Sequence, residues 1–254
     1  MVNNPSDARA GWPTGYSRAV FDSLPSTNAA ALAADGPIWF MAHSQTAGRG
    51  RRARNWDSPR GNLYASLCLH PNDPPAKMAL RSFAAALARR DALIATGVAG
   101  ETIALKWPKD VLISGRKVAG ILLESSPRGA LPCLAIGFGV NLAAHPDLGA
   151  VEAGATLPTS VLAETGLTIA PEAFLTHLAA SYALREAQFV AQGFAPLRMD
   201  FLAHAARMGE VITARLGAGA SYIGRYETID ETGNLILITA AGRMAISAAD
   251  VFFG

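Results

Sequence analysis

Five arginines lie between Arg49 and Arg60, although the whole 254-residue chain holds only 22 lysines and arginines together. Three glycines accompany them, at 48, 50 and 61, and allow the backbone to approach a ligand closely. Apart from Trp56 the stretch has few apolar side chains, so packing does not explain it. Because guanidinium groups bind phosphates and carboxylates through paired hydrogen bonds, this arginine loop (residues 48–62) predicts an anion site. A solvated basic loop is the alternative.

A second candidate segment runs from Lys106 to Lys117 and contains a hairpin with a glycine in its turn. Asp110 lies on the first arm of this hairpin and Lys117 begins the second, so the two side chains can face one another. Such a pair suits charge stabilisation and the orientation of an amine. A surface ion pair is the alternative interpretation.

A third segment, Gly137-Phe138-Gly139-Val140-Asn141, places two glycines inside a strand pattern. Glycines at such positions mark a close approach by a ligand or by another part of the backbone. By itself this pattern is not specific, so it matters only in combination with the two other segments.

The secondary-structure elements that must position these residues combine hairpins with helices. This mixture predicts an α+β fold. Strands are predicted at 38–42, 63–69, 103–107, 110–113, 117–124 and 134–140. Helices are predicted at 29–34, behind a polar cap at 26–28, and at 76–99, 159–165, 171–192 and 195–206.

After about Gly209 the pattern changes to short strands, predicted at 211–216, 222–229, 235–239 and 244–247. Closely spaced strands separated by glycine-containing turns favour a small β-barrel. We therefore predict a first domain at 1–208, whose residues 1–17 form a loose arm, and a second at 209–254.

The bulk composition excludes several classes of protein. A net charge of +2 is too small for nucleic-acid binding through bulk charge. The polar N-terminal segment has no apolar signal core, and no run of about 18 apolar residues occurs. Two cysteines, Cys68 and Cys133, cannot build a disulfide framework and are expected to be buried structural thiols. These features favour a reduced, cytoplasmic, soluble protein without a membrane segment. No metal-ligand spacing occurs among the histidines, so no metal site is expected: His43, His70, His145, His177 and His204.

Taken together, the motifs resemble those of biotin–protein ligases, from about residue 20 to the C-terminus. They are Ser26-Thr27-Asn28, Gln45-x-x-Gly48-Arg49-Gly50-Arg51-Arg52, Trp56, Gly61-Asn62-Leu63-Tyr64, Lys106-Trp107-Pro108-x-Asp110, Gly115-Arg116-Lys117-x-x-Gly120-Ile121-Leu122 and Gly137-x-Gly139-Val140-Asn141. The linked set is far more specific than any single motif. The resemblance implies an α+β fold of the class II aminoacyl-tRNA synthetase and biotin ligase type, with a mixed or antiparallel sheet, flanking helices and a C-terminal SH3-like barrel. Too few residues precede Ser26 for a winged helix, so it implies the short form, which does not bind DNA.

The resemblance also implies a two-step reaction. ATP activates biotin to biotinyl-5′-AMP, and the biotinyl group then passes to one lysine of a biotin carboxyl carrier protein that belongs to a carboxylase. Acetyl-CoA carboxylase and pyruvate carboxylase carriers are the expected partners. Mg²⁺ is expected with ATP, without assigned protein ligands, and both a monomer and a homodimer remain open.

On the family pattern, three residues would be catalytic. Lys117 and Arg51 would offset the charge of the biotin carboxylate and the α-phosphate, and Asp110 would orient or deprotonate the acceptor lysine. Biotin would be bound by neutral groups around its ureido ring, by the arginine loop and by an apolar slot, formed by Ser26, Thr27, Asn28, Gln45, Gly48, Arg49, Gly50, Arg51, Lys117, Gly120, Ile121 and Leu122. ATP and the adenylate would contact Arg51, Arg52, Trp56, Lys117 and Asn141.

In this scheme Trp56 would cover the adenylate and exclude water, and residues 47–55 would become ordered when biotin binds. The chain departs from the family pattern at two positions, with Lys109 in place of Asn and Ala53 in place of Gly. We hypothesise that Lys109 alters nucleotide handling, and unchanged nucleotide affinity and half-reaction rates in Lys109→Asn would refute this.

Two rival interpretations remain. A lipoate–protein ligase or octanoyltransferase would share the fold class, but those families carry a run of three glycines after an arginine, which this chain lacks. An RNA-binding protein could use the arginine loop, but the basic residues are concentrated in that one loop and the net charge is near zero.

Overall fold

A seven-stranded mixed sheet forms the larger part of the molecule. The computed structural model describes residues 11–50, 56–127, 132–147, 154–216 and 219–253. The strands are β1 (Ser17–Phe21), β2 (Ile38–Ala42), β3 (Leu63–Leu69), β4 (Ile103–Lys106), β5 (Asp110–Ile113), β6 (Arg116–Ser126) and β7 (Cys133–Val140). Their spatial order is β1-β2-β3-β7-β6-β5-β4. Only the β1–β2 pair is parallel among these described strands, which confirms the predicted mixed sheet.

Helices cover the two faces of this sheet unequally. They are α1 (Thr27–Leu32), α2 (Pro75–Ala95), α3 (Val161–Thr165), α4 (Pro171–Gln192) and α5 (Phe194–Ala203). The long helices α2 and α4 pack on each other and on one face, where they bury the main core. Each begins with a proline in its first turn, where the missing N–H costs nothing. The short α1 lies on the other face, beside β3 and β7.

A five-stranded antiparallel sheet follows, built from β8 (Val211–Arg215), β9 (Ser221–Ile229), β10 (Leu235–Thr239), β11 (Gly242–Ile246) and β12 (Asp250–Phe253). Its order is β11-β10-β9-β8-β12. The sequence predicted the first four of these strands but missed β12, which is short and follows two alanines. The division of the chain at residues 208 and 209 stays a prediction.

The N-terminal segment differs from the loose arm that the sequence suggests. Residues 1–10 lie outside the described part, but Trp12 and Tyr16 pack against the main core, and Trp12 Nε1 donates to the Tyr16 carbonyl at 2.8 Å. Strand β1 then begins at Ser17, and the sequence analysis did not detect it. Glycine and proline around these aromatic residues concealed their packing.

Candidate active site

A cavity of about 520 Å³ opens on the α1 side of the large sheet. With the exception of Gly48, all predicted site residues within the described ranges line it: Ser26, Thr27, Asn28, Gln45, Arg49, Gly50, Trp56, Asp110, Lys117, Gly120, Ile121, Leu122 and Asn141. Arg51 and Arg52, and the Ala53 departure, lie outside the described residues. The motifs that are scattered along the sequence are therefore brought to one place.

Lys117 and Asp110 form an ion pair at one end of this cavity. Lys117 Nζ lies 2.8 Å from Asp110 Oδ2, and both side chains are partly buried. Lys117 and Asp110 therefore face one another across the hairpin, in the arrangement that the sequence suggested. The backbone of Lys117 is itself fixed, because it donates to the Leu157 carbonyl at 2.8 Å and accepts from the Thr159 N–H at 2.9 Å. The partly buried position distinguishes this pair from an ordinary surface ion pair.

Lys106 lies beside this pair, because it is the register partner of Asp110 across β4 and β5. Burial outweighs the attraction of Asp110 and lowers the pKa of Lys106 to about 8. Its Nζ donates to Thr156 Oγ1 at 2.6 Å and sits 4.8 Å from the centre of the Phe253 ring. A lysine with this pKa changes charge within the working range of most enzymes.

Several cations act on the Asp110 carboxyl group. Burial would raise its pKa, but the charges of Lys117, Lys106 and Arg89 outweigh burial and hold the pKa below its usual value. Asp110 is therefore an anion at neutral pH. In this state it can hold an ammonium group in place by charge and hydrogen bonding.

Arg89, on α2, supports the turn between β4 and β5 from the core side. Its side chain is fully buried and donates to the Lys109 carbonyl, and burial lowers its pKa to about 9. The sequence analysis did not single out this arginine. The structure instead makes it a positioning residue for the backbone that carries Asp110.

At the opposite end of the cavity, α1 presents a chain of neutral polar groups. Gln45 Oε1 accepts from the Thr27 backbone N–H at 2.9 Å, and Ser66 Oγ lies 2.6 Å from Asn28 Oδ1. Since an amide oxygen only accepts, the Ser66 hydroxyl donates to Asn28. Asn28 Nδ2 in turn donates to Glu124 Oε2 at 2.8 Å. These contacts fix the direction in which each group at this end can donate or accept.

The two glycines of β7 are in contact with protein side chains. A Cβ atom at Gly137 would collide with Asn28 Oδ1, and one at Gly139 would lie 2.7 Å from Cζ2 of Trp56. A Cβ atom at Gly120, on the neighbouring β6, would lie 3.4 Å from the same indole ring. The glycines thus admit α1 and Trp56 close to the sheet, which explains the third sequence segment.

The described ends of the arginine loop are joined to each other. The Trp56 N–H donates to the Gly48 carbonyl at 3.0 Å, and a Cβ atom at Gly48 would lie 2.5 Å from the Trp56 carbonyl oxygen. Gly48 therefore closes the base of the loop and does not line the cavity. Arg49 extends to Glu124, with Nη2 3.3 Å from Oε1. Glu124 thus connects the loop to Asn28.

Two predicted residues also have structural roles. Ser26 is the N-cap of α1 and accepts from the Ala29 N–H at 3.4 Å. Asn141 is buried, and its Nδ2 donates to the Thr159 carbonyl at 3.0 Å, which fixes the segment after residue 156 at the cavity wall. Ser26 remains in the cavity wall, so capping and ligand contact are compatible.

Sequence reasoning missed several residues around the cavity. Ser66 was detectable in principle, as the one small polar side chain in the apolar run of β3. Glu124 also had a signal, since it is an acidic residue at the end of the strand predicted at 117–124. Asp250 and Thr156 line the cavity without any local pattern, because β12 and the segment before α3 reach it only in the folded chain.

Comparison with known proteins agrees with this site. Residues 21–141 match the Biotin/lipoate A/B protein ligase family, and residues 208–254 match the Biotin protein ligase C terminal domain. The chain is 52% identical, over 90% of its length and 97% of the relative's, to a biotin–[acetyl-CoA-carboxylase] ligase of Paracoccus denitrificans. It is 32% identical to the bifunctional ligase/repressor BirA of Bacillus spizizenii, over 84% of this chain and 65% of that one. The chain belongs to the biotin protein ligase family.

The fold agrees as well. The solved structure of biotin protein ligase from Aquifex aeolicus in complex with biotin and ATP aligns with a TM-score of 0.80 at 23% identity, over 92% of this chain and 97% of that one. This likeness confirms the predicted fold class, including the additional small sheet. Among the described residues, no helix is long and apolar enough to cross a membrane.

Proposed function

We propose that this protein is an ATP-dependent biotin–protein ligase that forms biotinyl-5′-AMP and transfers biotin to a lysine of a biotin carboxyl carrier protein. The observation that carries the proposal is one cavity with two chemically different ends. Neutral hydrogen-bonding groups on α1 lie at one end, and the Lys117–Asp110 pair lies at the other. The ureido ring of biotin needs neutral donors and acceptors, whereas the reacting carboxylate and phosphate need cations.

In the first step, a biotin carboxylate oxygen attacks the α-phosphorus of ATP, a new P–O bond forms, and the bond to pyrophosphate breaks. Both reactants are anions, so their approach requires compensating positive charge. We assign this charge to Lys117 in the cavity wall, to Lys106 beside it, and to Arg49, Arg51 and Arg52 of the arginine loop. The 520 Å³ cavity has room for biotin and part of the nucleotide.

In the second step, the neutral acceptor lysine amine attacks the acyl carbon, AMP leaves with the bonding electrons, and the nitrogen releases one proton to solvent as the amide forms. Even an ordinary carboxylate falls short of deprotonating a lysine ammonium outright by about 9 kcal/mol. The lowered pKa of Asp110 makes it a weaker base still. Asp110 therefore orients the incoming lysine and stabilises the positive charge that develops on its nitrogen, rather than removing a proton beforehand.

The remaining partners follow from this chemistry. Mg²⁺ would enter as part of the nucleotide substrate, and Asp57 and Asp250 at the cavity carry the hard oxygen donors that it prefers. The carrier belongs to a carboxylase of the acetyl-CoA carboxylase type, in line with the relative's name. We place the protein in the cytoplasm, where such carriers and ATP occur together, and we assign no DNA-binding role.

Biotin-dependent exchange of labelled pyrophosphate into ATP tests the first step, and addition of an apo carrier domain tests the second. The purified protein is expected to catalyse exchange with biotin but not with lipoate or octanoate, which lack the ureido ring. Folded protein without biotin-dependent exchange would refute the ligase. Exchange with lipoate alone would favour the lipoate ligase alternative, and salt-sensitive RNA binding without ATP turnover would favour the nucleic-acid alternative.

A further inference from the structure

We propose that Cys68, His70 and Cys133 form a binding site for a zinc-like transition-metal ion, separate from the ligase cavity. Their candidate ligand atoms all lie within 4.8 Å of one another. Cys68 Sγ is 3.6 Å from Cys133 Sγ and 3.6 Å from His70 Nε2. Two thiols and an imidazole form a donor set that selects zinc and related borderline or soft ions over magnesium or calcium.

The strand geometry explains why residues so far apart in the sequence meet. Cys68 and His70 are two positions apart, so they fall on the same face at the end of β3. In the β3–β7 ladder, Cys68 pairs with Ala135 and Leu69 with Leu134. One further step along this register places His70 opposite Cys133. The sequence analysis looked for ligand spacing along the chain and therefore found none.

The separations of Cys68 Sγ from Cys133 Sγ and from His70 Nε2 match the edges of a zinc coordination tetrahedron. With Zn–S bonds of about 2.3 Å and Zn–N bonds of about 2.05 Å, tetrahedral angles give edges of about 3.8 Å between two sulfurs and about 3.6 Å between sulfur and nitrogen. The observed separations are 3.6 Å for both edges. Only the third edge, from Cys133 to His70, has to be adjusted, and His70 is half-exposed and can rotate.

A disulfide fits this arrangement less well. Cys68 and Cys133 are diagonal neighbours across the ladder, and the Cα atoms of such neighbours are about 7–8 Å apart. A disulfide requires a Cα separation at or below about 6.8 Å, so the strands would have to move. A metal ion between the sulfurs bridges the diagonal without that movement.

Metal binding has a defined proton balance. The two thiols now donate weakly to the carbonyls of α1 and its C-terminal end, Cys133 to Ala31 and Cys68 to Ala34, each at 3.6 Å. On binding, two S–H bonds break, two protons go to solvent and two metal–thiolate bonds form, without any change in oxidation state. His70 contributes its neutral Nε2, and a water molecule completes the tetrahedron from the side where His70 meets solvent. Affinity therefore increases with pH.

Cobalt(II) titration of the full-length, reduced protein under anaerobic conditions tests the site. The chain has only two cysteines, so any thiolate-to-cobalt charge-transfer absorption must come from this pair. We expect one cobalt ion per chain, the visible bands of a tetrahedral ion, and complete displacement by one equivalent of zinc. Both metals should release protons to a weakly buffered solution.

Variants separate the proposed site from adventitious binding. Cys133→Ser should remove the charge-transfer band and weaken binding more than about 100-fold, and His70→Gln should weaken binding about 10–100-fold while the band remains. His177→Ala, at an exposed histidine on α4, is the matched control and should bind as the parent does. If Cys133→Ser does not fold, Cys133→Ala and His70→Gln decide the same point.

Three results would overturn the proposal. The first is no charge-transfer band with cobalt in excess, and the second is an unchanged band in a folded Cys133 variant. The third is a chain that binds no metal yet forms the Cys68–Cys133 disulfide with an added disulfide reagent. The readout is metal binding alone, so it is independent of the proposed ligase function. A metal-binding chain without ligase activity and an active chain without metal are distinguishable outcomes.

Discussion

At Asp110, three cations compete with burial and keep the carboxylate charged. The nearest cation, Lys117, is also the group that must meet the biotin carboxylate and the α-phosphate in the proposed reaction. In the proposed reaction, an adenylate that attracts Lys117 would leave Asp110 to contact the acceptor amine. Single side chains thus connect the two half-reactions, and replacing them should affect the steps unequally.

Replacing Asp110 with Asn should affect transfer far more than adenylation. The isosteric amide keeps the shape but cannot stabilise the positive charge that develops on the acceptor nitrogen, so transfer should slow about 100-fold. Single-turnover transfer from preformed biotinyl-AMP to an apo carrier domain measures this, and pyrophosphate exchange measures the first step. Asp35→Asn, at an exposed position, is the matched control. Equal losses in both steps would contradict the assigned role.

In the parent enzyme, protonation of Asp110 should not reduce the rate of biotin transfer between pH 8 and pH 5. Because the pKa of Asp110 is lowered in the fold, its carboxylate persists down to and below the ordinary carboxyl range. The stability contributed by this group is present above the ordinary pKa and is lost only as pH falls through the folded value. If the transfer rate of the parent falls near pH 6 and that fall is absent in Asp110→Asn, the lowered pKa would be contradicted.

Lys106 should make the activity fall on the alkaline side of the pH–rate profile. Its pKa of about 8 means that its charge is lost as pH rises through 8, so kcat/KM for ATP should fall about tenfold there. Lys106→Gln should have low activity without that fall, while Lys77→Gln on α2 should keep the parent profile.

The same shift predicts how stability depends on pH. Between pH 8 and about 10.4, the unfolded chain holds a proton on Lys106 that the folded chain has released, so stability should increase with pH across this window. Lys106→Gln should reduce that increase in denaturant titrations at several pH values. An identical slope in parent and variant would contradict the burial of a charged lysine.

At the scale of elements, the site depends on how closely α1 and Trp56 approach strands β6 and β7. Gly137 admits Asn28 of α1, while Gly120 and Gly139 admit Trp56. In this position the indole lies on the sheet, with its Nε1 buried. The close contact at Gly139 leaves no room for a methyl group.

Replacing Gly139 with Ala should therefore displace Trp56 and raise the biotin dissociation constant about tenfold. If the collision with the indole is the cause, Trp56→Phe should relieve part of it, because a smaller ring leaves space. A double-mutant cycle on biotin binding, with Gly139→Ala and Trp56→Phe, measures the coupling. Strictly additive effects would show that the two residues do not interact.

At the scale of the whole molecule, the small sheet docks on the part of the large one that carries the site. The turn between β9 and β10 contacts α2, where a Cβ atom at Gly233 would lie 2.9 Å from Leu80. Trp107 Nε1 donates to the Gly233 carbonyl at 3.0 Å. Strand β12 also reaches the cavity with Asp250 and brings Phe253 beneath Lys106. The second sheet therefore completes the end of the cavity that we assign to the nucleotide.

Removing the hydrogen bond between the two parts should measurably destabilise the chain. Trp107→Phe leaves a carbonyl near the buried ring without its donor, at a cost of about 1–3 kcal/mol beyond the loss of volume. Trp39→Phe is a matched control, because Trp39 is fully buried and its Nε1 has no partner among the described residues. Urea unfolding of both variants gives the comparison, and equal losses would argue against the interdomain bond.

The sequence alone predicted most of the elements and most of the described residues that line the cavity. Local patterns are enough to mark β2, β3, β5 and α4 at the bounds that the structure gives them, since burial imposes a period on each. The site motifs could be interpreted because, as a linked set, they resemble those of biotin–protein ligases. Periodicity and motif order are both properties of the sequence, so neither requires the tertiary structure.

Only the tertiary structure decided which distant residues meet. Arg89 supports the turn before Asp110 from a helix, Ser66 and Glu124 orient Asn28, and Asp250 enters from the last strand. The cluster of Cys68, His70 and Cys133 likewise exists only in the β3–β7 register. The physical reason is the same in each case: these contacts depend on strand pairing and helix docking, and those depend on the packing of the whole chain rather than on any local pattern.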